Sequence, residues 1–147
     1  MARPIILHEG PATKKWNFPV AEATSLEKGD FISMESAYCV LMDLVSEDAT
    51  FLGIANGNIV ASTGGAADET AGVIEVLLEC IIECDSTSAT YTPGQDVKYA
   101  GENAVVDAGS NDTIMWSLES KATATRLICL VDVVALQKLF AVAATSG

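Results

Sequence analysis

The sequence predicts a mainly β domain preceded by an extended N-terminal arm, and two observations support this expectation. After the first 26 residues, short apolar runs rich in β-branched residues alternate with Gly, Asn, Asp and Ser, which is typical of strands joined by turns. Three of the four prolines, Pro4, Pro11 and Pro19, lie before that point and disfavour helix there. We therefore expect an extended arm over residues 1–26 and a β-rich domain over residues 27–147.

The stretch GVIEVLLECIIECD at residues 72–85 decides between two kinds of chemistry. On a helix, Cys80 and Cys84 would lie about 6 Å apart beside a stripe of glutamates, and such a cluster could hold a metal. On a strand they would lie roughly 13 Å apart, too far for one ion or a disulfide. The β-branched residues, the weak helix cap and the strand-like neighbours favour the strand. One face would then be apolar, with Ile74, Val76, Leu78, Cys80, Ile82 and Cys84, and the other would turn Glu75, Glu79 and Glu83 to water or a subunit junction.

The same kind of pattern predicts the other strands. We expect them at FISM (31–34), AYCVLMDLV (37–45), FLGIA (51–55), residues 96–99, residues 104–106, IMWSLE (114–119) and RLICLVDVV (126–134). Asn56-Gly57 is a strong hairpin signal, so IVAS is expected to return beside FLGIA. The run RLICLVDVV is apolar on both faces, which suits a central strand or a subunit junction. ALQKLFAVAA is expected to add a helical turn. Two pairs of segments are loosely similar to each other: FLGIA with GVIEVLLE, and IMWSLE with RLICLVDV. This similarity indicates a two-fold arrangement within one β-barrel or sandwich.

Composition and charge restrict the class of function. A chain of 147 residues suits one domain whose core needs no disulfide or metal. No apolar run approaches the roughly 20 residues of a membrane span, and MARPIILHEG lacks a signal peptide's apolar segment, so we expect a soluble product made in a cytoplasm. The net charge is −12, and the first 28 residues hold four bases and three acids whereas the rest hold four bases and 17 acids. Such an acidic body would repel nucleic-acid phosphates.

No group of residues in the sequence predicts catalysis or a cofactor. His8, the only histidine, lies in the arm, away from any nucleophile that it could activate. The four cysteines, at positions 39, 80, 84 and 129, are too scattered to predict a zinc site, and we expect them to be reduced and buried. STGGAADETAG at 62–72 lacks the Gly-Lys-Ser/Thr of a phosphate loop and is expected to be an exposed loop. We expect no enzyme activity, no metal and no cofactor.

The order of the motifs along the chain is itself informative. A proline-bearing arm is followed by LEKGDFISM, FLGIA before an Asn-Gly turn, a long apolar strand, TPGQDVKYAGENAVVDA, IMWSLE and RLICLVDVV. In this order, over residues 14–135, the chain resembles the phage capsid cement, or head decoration, proteins. A Gly-x-x-Val-x-Tyr pattern of that family falls at Gly94, Val97 and Tyr99, with two valines after the turn. The chain departs from the family in its glycine-rich 62–72 loop and in IMWSLE, where a glycine would be expected.

The resemblance implies a β-tulip or barrel-like domain that assembles as a homotrimer on the outer surface of a phage capsid. It implies the major capsid protein as partner, with neighbouring capsid subunits clamped together, and neither a nucleic-acid nor a membrane partner. Trp16 and Phe18 of the arm must be buried on the chain's own body or on a partner. We place the capsid contact on the arm, at Lys14, Lys15, Trp16 and Phe18. The residues expected in the core or trimer strands are Ile74, Val76, Leu78, Cys80, Leu127, Cys129 and Val131.

Two other classes of function remain open at this point. A small β-domain of a tail, spike or host protein could recognise a glycan or peptide, and it would be a monomer or dimer with an aromatic-lined groove. A hydrolase could use the abundant carboxylates, although nothing in the sequence marks any two of them as an acid and base pair.

Overall fold

The structure is a computed structural model that describes residues 3–21, 24–35, 38–42, 50–60, 70–100, 106–107 and 112–136. Within these ranges the chain forms eleven strands and one short 3-10 helix at Ala12–Lys14. The strands are β1 (Ile5–His8), β2 (Lys15–Ala21), β3 (Phe31–Glu35), β4 (Tyr38–Leu41), β5 (Phe51–Ala55), β6 (Thr70–Leu77), β7 (Glu79–Tyr91), β8 (Asp96–Tyr99), β9 (Val106–Asp107), β10 (Thr113–Ser117) and β11 (Lys121–Asp132). The described segments contain no helix with the length and hydropathy of a membrane span. The predicted mainly β fold is confirmed.

Five of the strands close into a small barrel in the order β2-β4-β3-β5-β6. β2 closes it: it pairs antiparallel with β6 along its whole length and meets β4 in parallel, where Val20 lies opposite Cys39. The β3–β4 and β3–β5 pairs are antiparallel, as is the β5–β6 pair. Removal of β2 would therefore leave the barrel with two open edges.

The other six strands form a second sheet in the order β1-β7-β11-β10-β8-β9. β9 also pairs with β7, where Val106 lies opposite Ser86, so this sheet returns on itself as well. The long antiparallel pair of β7 and β11 forms its centre, with Cys129 opposite Ile82. β1 lies at an edge, and among the described strands it pairs with β7 alone.

One continuous extended segment joins the barrel to the second sheet. β6 ends at Leu77 and β7 begins at Glu79, with only Leu78 between them. Residues 5–21, here called the N-terminal ribbon, run antiparallel to this segment and pair with it in both sheets. At the junction the Leu78 amide donates to the Lys14 carbonyl (2.7 Å), and the Leu78 carbonyl accepts from the Val133 amide (2.9 Å). The pairing of these two segments therefore spans the whole fold.

The hydrophobic core is continuous between the two sheets. The Phe31 ring of β3 lies 6.0 Å from the ring of Phe51 in the barrel and 6.0 Å from that of Tyr99 in the second sheet. All three rings are fully buried. The Tyr99 hydroxyl donates a 2.8 Å hydrogen bond to the Met42 carbonyl, so its burial leaves no unpaired hydroxyl. This tyrosine thus joins the sheets by apolar contact and by a hydrogen bond.

The strand predicted at residues 72–85 is confirmed, as β6 and β7. All six residues of its predicted apolar face are buried. Leu77, assigned from the sequence to the half-polar face, is also fully buried because it lies where the two sheets meet. β5 and β8 have the predicted bounds, while β3, β4, β10 and β11 overlap the predicted FISM, AYCVLMDLV, IMWSLE and RLICLVDVV. Most of the 62–72 loop, residues 43–45 and 104–105, and most of ALQKLFAVAA lie outside the described residues.

The hairpin predicted at Asn56-Gly57 is wrong. β5 pairs with β3 on one edge and with β6 on the other, so the chain that follows β5 has no free edge to return to. Ile59 instead forms an isolated bridge with Leu26, through backbone hydrogen bonds of 2.8 and 2.9 Å. Positive φ angles occur at five other glycines and not at Gly57.

The predicted extended backbone of residues 1–26 is present where the chain is described, but a separate arm is not seen. β1 and β2 both pair with the chain's own long segment, and β2 is one of the five barrel strands. Phe18 packs against the core from β2. The aromatic residues were expected to be buried on the chain's own body or on a partner. Phe18 packs on the chain's own body.

Gly53 marks a very close approach of two barrel strands, β5 and β6. Its φ is +146°, and a Cβ at this position would overlap the backbone carbonyl oxygen of Leu77. Only glycine adopts this conformation without strain. The closure of the barrel at this point therefore depends on the absence of a side chain.

We expect Gly53→Ala to lower the free energy of unfolding by about 2–4 kcal/mol, because the methyl group must displace backbone and alanine is strained at this φ. Urea denaturation followed by tryptophan fluorescence measures the change. Gly57→Ala is the matched control, because no atom lies within 4 Å of its Cβ position. The control should change the free energy by less than about 1 kcal/mol, and equal losses in both variants would contradict this barrel closure.

Candidate binding surface on the N-terminal ribbon

The N-terminal ribbon exposes three large apolar side chains. Ile5 and Leu7 on β1 are 50% and 49% exposed, and Trp16 on β2 is 69% exposed. Ile6 lies between the first two and packs against the core, as the alternation of side chains along a strand requires. Ile5 and Leu7 lie on the same face of β1, and neighbouring exposed apolar side chains are more typical of an interaction surface than single scattered ones.

The outer edge of the ribbon is open over most of its length. Among the described strands, β1 pairs with β7 alone, and the pairing of β2 with β4 is confined to Val20 opposite Cys39. Among the described residues, no strand pairs with this edge before Val20. The backbone N–H and C=O groups of such an edge are able to pair with an added strand from another molecule.

The two lysines predicted as capsid contacts have partners within the chain. The Lys14 ammonium lies 2.8 Å from Glu79 and 3.3 Å from Asp132, and its hydrogen bond to Glu79 is the main cause that raises the pKa of Lys14. The Lys15 ammonium lies 3.3 Å from Glu9. The ribbon therefore brings all four predicted contact residues together, but of these only Trp16 presents most of its surface to solvent.

An open cavity of about 450 Å³ lies beside β1. Residues 6–10 of the ribbon line it together with Lys15 and Lys28. The Glu9 carboxylate accepts hydrogen bonds from Lys15 at 3.3 Å and from Asn56 Nδ2 at 3.0 Å. These bonds, with the Lys15 bond as the largest cause, lower the pKa of Glu9, so it is ionised at neutral pH. The cavity wall thus carries two lysines and one carboxylate.

The glutamates of the long segment do not form a metal cluster. Glu79 pairs with Lys14, while Glu83 lies 3.4 Å from Arg126, which also pairs with Asp85 at 2.7 Å. Each glutamate keeps part of its surface exposed to water, one of the two environments expected for it, and a cation or an amide pairs with each one. Among the described residues, no group of three or more His, Cys, Asp or Glu side chains is arranged to hold a metal ion.

The four cysteines are buried free thiols, as predicted. Burial raises the pKa of Cys39 to about 12, and burial together with the Glu79 charge raises that of Cys80 to about 12. A hydrogen bond with Cys84, together with burial, raises the pKa of Cys129. Thiols protonated at neutral pH are poor nucleophiles and poor metal ligands. Their arrangement is that of core residues.

The residues predicted for the core or trimer strands are all buried within the single chain. They are Ile74, Val76, Leu78, Cys80, Leu127, Cys129 and Val131, and their exposed fractions are 7% or less. The protein's own core therefore accounts for each of them.

Sequence reasoning missed three residues of this surface. Ile5 and Leu7 belong to an unbroken apolar run, so nothing marks them as outward-facing until the pairing of β1 with β7 is known. Lys28 lies outside the ribbon and 20 residues after His8, the last residue of β1. The turn at Gly29, where a Cβ would overlap the Pro4 carbonyl oxygen, brings it beside the ribbon.

No protein-family model matches the chain, and no curated protein matches it either.

We expect all four native thiols to resist Ellman's reagent at pH 8 and to react once the chain is unfolded in urea, because the folded thiols are buried. Absorbance at the reagent's product band measures the reaction. Val60→Cys supplies the control, because the Val60 side chain is 83% exposed and a thiol there should react at once. Fast reaction of native protein without the added cysteine would contradict the described core.

Stability should fall as the pH rises from about 9 toward 12. The folded pKa values of Cys39 and Cys80 lie above their unfolded values, so the unfolded chain loses these protons first, and each thiol's contribution is present below pH 9 and lost above it. One such thiol contributes up to about 1.4 kcal/mol per pH unit. Urea denaturation across this range should show a shallower decline for Cys80→Val than for wild type, and identical slopes would contradict the assignment.

Proposed function

We propose that the chain is a structural protein of a phage virion, which binds the outer surface of the capsid as a cement or decoration protein. In this role it clamps neighbouring subunits of the major capsid protein and stabilises the shell. The observation that favours this function most is the N-terminal ribbon, which combines exposed apolar side chains with an open strand edge. The order of sequence motifs described above supports the same class of protein.

The rigidity of the ribbon favours a clamping role. Because β2 is a barrel strand and β1 pairs with β7, the exposed side chains are held in fixed positions before any partner arrives. A preorganised surface loses little conformational entropy on binding. An added strand from a capsid subunit would gain main-chain hydrogen bonds at the open edge, and Trp16 supplies an apolar anchor of the kind that dominates binding energy.

A homotrimer suits this role. A closed trimer matches the three-fold symmetry of positions on an icosahedral shell. Three copies of the ribbon on one assembly would raise the effective concentration of the second and third contacts. The charge of −12 on each chain would also disfavour association between decorated particles.

Variants of the ribbon should separate capsid binding from folding. We expect Trp16→Ala and the double variant Ile5→Ser, Leu7→Ser each to weaken binding to expanded shells of the cognate phage at least about tenfold, because these exposed side chains are the proposed anchors. Co-sedimentation with shells measures binding, and thermal melting checks that the fold is retained. Point variants are preferable to deletion of residues 1–20, because that deletion removes most of β2 from the barrel.

Val60→Ser is the matched control, because Val60 is a large apolar residue that is 83% exposed outside the ribbon. It should bind shells as wild type does. Unchanged co-sedimentation of both ribbon variants would contradict the assignment of the capsid contact.

The oligomeric state distinguishes this proposal from a monomeric or dimeric binding module that recognises a peptide or glycan. Analytical ultracentrifugation should give the mass of three 15.4-kDa chains in solution. The mass of one or two chains, together with binding of peptides or glycans but not of shells, would favour the binding module.

A further inference from the structure

The open cavity described above lies beside the edge strand β1. Residues 6–10 line it, and Glu9, Lys15 and Lys28 contribute the charged part of the lining. Its volume of about 450 Å³ is far larger than one side chain needs, and it is open to solvent. A strand added along β1 would direct every second side chain toward the same face, so one of its side chains could enter the cavity.

The charges in the cavity leave one cation without a carboxylate. Lys15 is matched by Glu9 at 3.3 Å. Lys28 is an exposed residue that lowers the pKa of the same Glu9 by its charge, but within the described residues no ion pair includes it. The wall therefore carries one more positive than negative charge, with His8 counted as neutral. This local excess stands out in a chain whose net charge is −12.

We propose that this cavity binds a carboxylate side chain, Asp or Glu, carried by an extended protein segment that pairs with the open edge of β1. Lys28 forms the ion pair with that carboxylate. Lys15 pairs with Glu9 and adds to the positive electrostatic potential in the cavity. The inference rests on the proposed function in one respect, which is that the major capsid protein carries the segment.

A single carboxylate fits the cavity better than a polyanion. The excess of positive charge in the cavity is one unit, and the chain beyond residue 28 holds 17 acids against four bases. A nucleic-acid backbone or a strongly acidic peptide would meet this acidic body beside the cavity. The apolar side chains of Ile5 and Leu7 favour neighbours without charge on the incoming segment.

The test uses two blocked pentapeptides of alternating threonine and valine, one with a central glutamate and the other with a central glutamine. Amide chemical shifts of the full-length, isotope-labelled protein are followed as each peptide is added. We expect the glutamate peptide to shift the amides of residues 5–10 and of Lys28, and to bind about fivefold tighter than the glutamine peptide, as a partly exposed ion pair provides. Lys28→Gln should abolish this preference, whereas Lys98→Gln on β8 should leave it intact.

Any one of four results would overturn the carboxylate site. They are equal binding of the two peptides, chemical-shift changes confined to other surfaces, no binding at millimolar peptide, and an unchanged preference in Lys28→Gln. Shell co-sedimentation separates this inference from the proposed function. If the protein prefers the glutamate peptide but does not bind shells, the carboxylate site is supported and the capsid role is contradicted. If the protein binds shells but shows no preference between the peptides, the capsid role is supported and the carboxylate site is contradicted.

Discussion

The antiparallel pairing of the N-terminal ribbon with the segment from Thr70 to Tyr91 is the interaction on which the rest of the structure depends. The ribbon closes the barrel through β2 and extends the second sheet through β1, and among the described strands no other pair of continuous segments is paired in both sheets. Lys14 fixes the junction through its carbonyl, which accepts from the Leu78 amide, and through its ammonium, which pairs with Glu79 and Asp132. Loss of this pairing would open the barrel and remove the edge strand β1 from the second sheet.

The same pairing explains why the candidate surface is where it is. Residues at the start of a chain are usually poorly ordered unless they are tied into a sheet. Here the inner edge of the ribbon pairs with β6 and β7, so its outer edge and its exposed apolar side chains remain accessible to a partner. Because the turn at Gly29 packs against Pro4, Lys28 is positioned beside this edge as well. One structural element therefore stabilises the protein and presents its proposed binding surface.

Local sequence patterns predicted the strands well and their partners poorly. The alternation through residues 72–85 identified a buried strand face, and it correctly separated Cys80 from Cys84 as core residues rather than a ligand pair. Prolines indicated extended backbone near the N-terminus, but a free arm and a paired strand share that backbone. The residues of β6 that pair with β2 lie 49 to 62 residues later in the chain. Asn56-Gly57 was misleading because hairpin propensity cannot reveal that both edges of β5 are occupied. Lys28 could not be assigned to a site, since only the folded turn places it beside β1.

The most direct test of the account is hydrogen–deuterium exchange of the protein, free and bound to expanded shells. In the free protein the β2 amides that pair with β6 should exchange slowly, because β2 is a barrel strand, while the outward-facing amides of β1 should exchange faster. Shell binding should slow exchange across residues 5–10 and around Trp16 more than in any other described segment. Rapid exchange throughout residues 5–21 in the free protein would contradict the ribbon's place in the fold. Shell-induced protection confined to other segments would contradict its role as the binding surface.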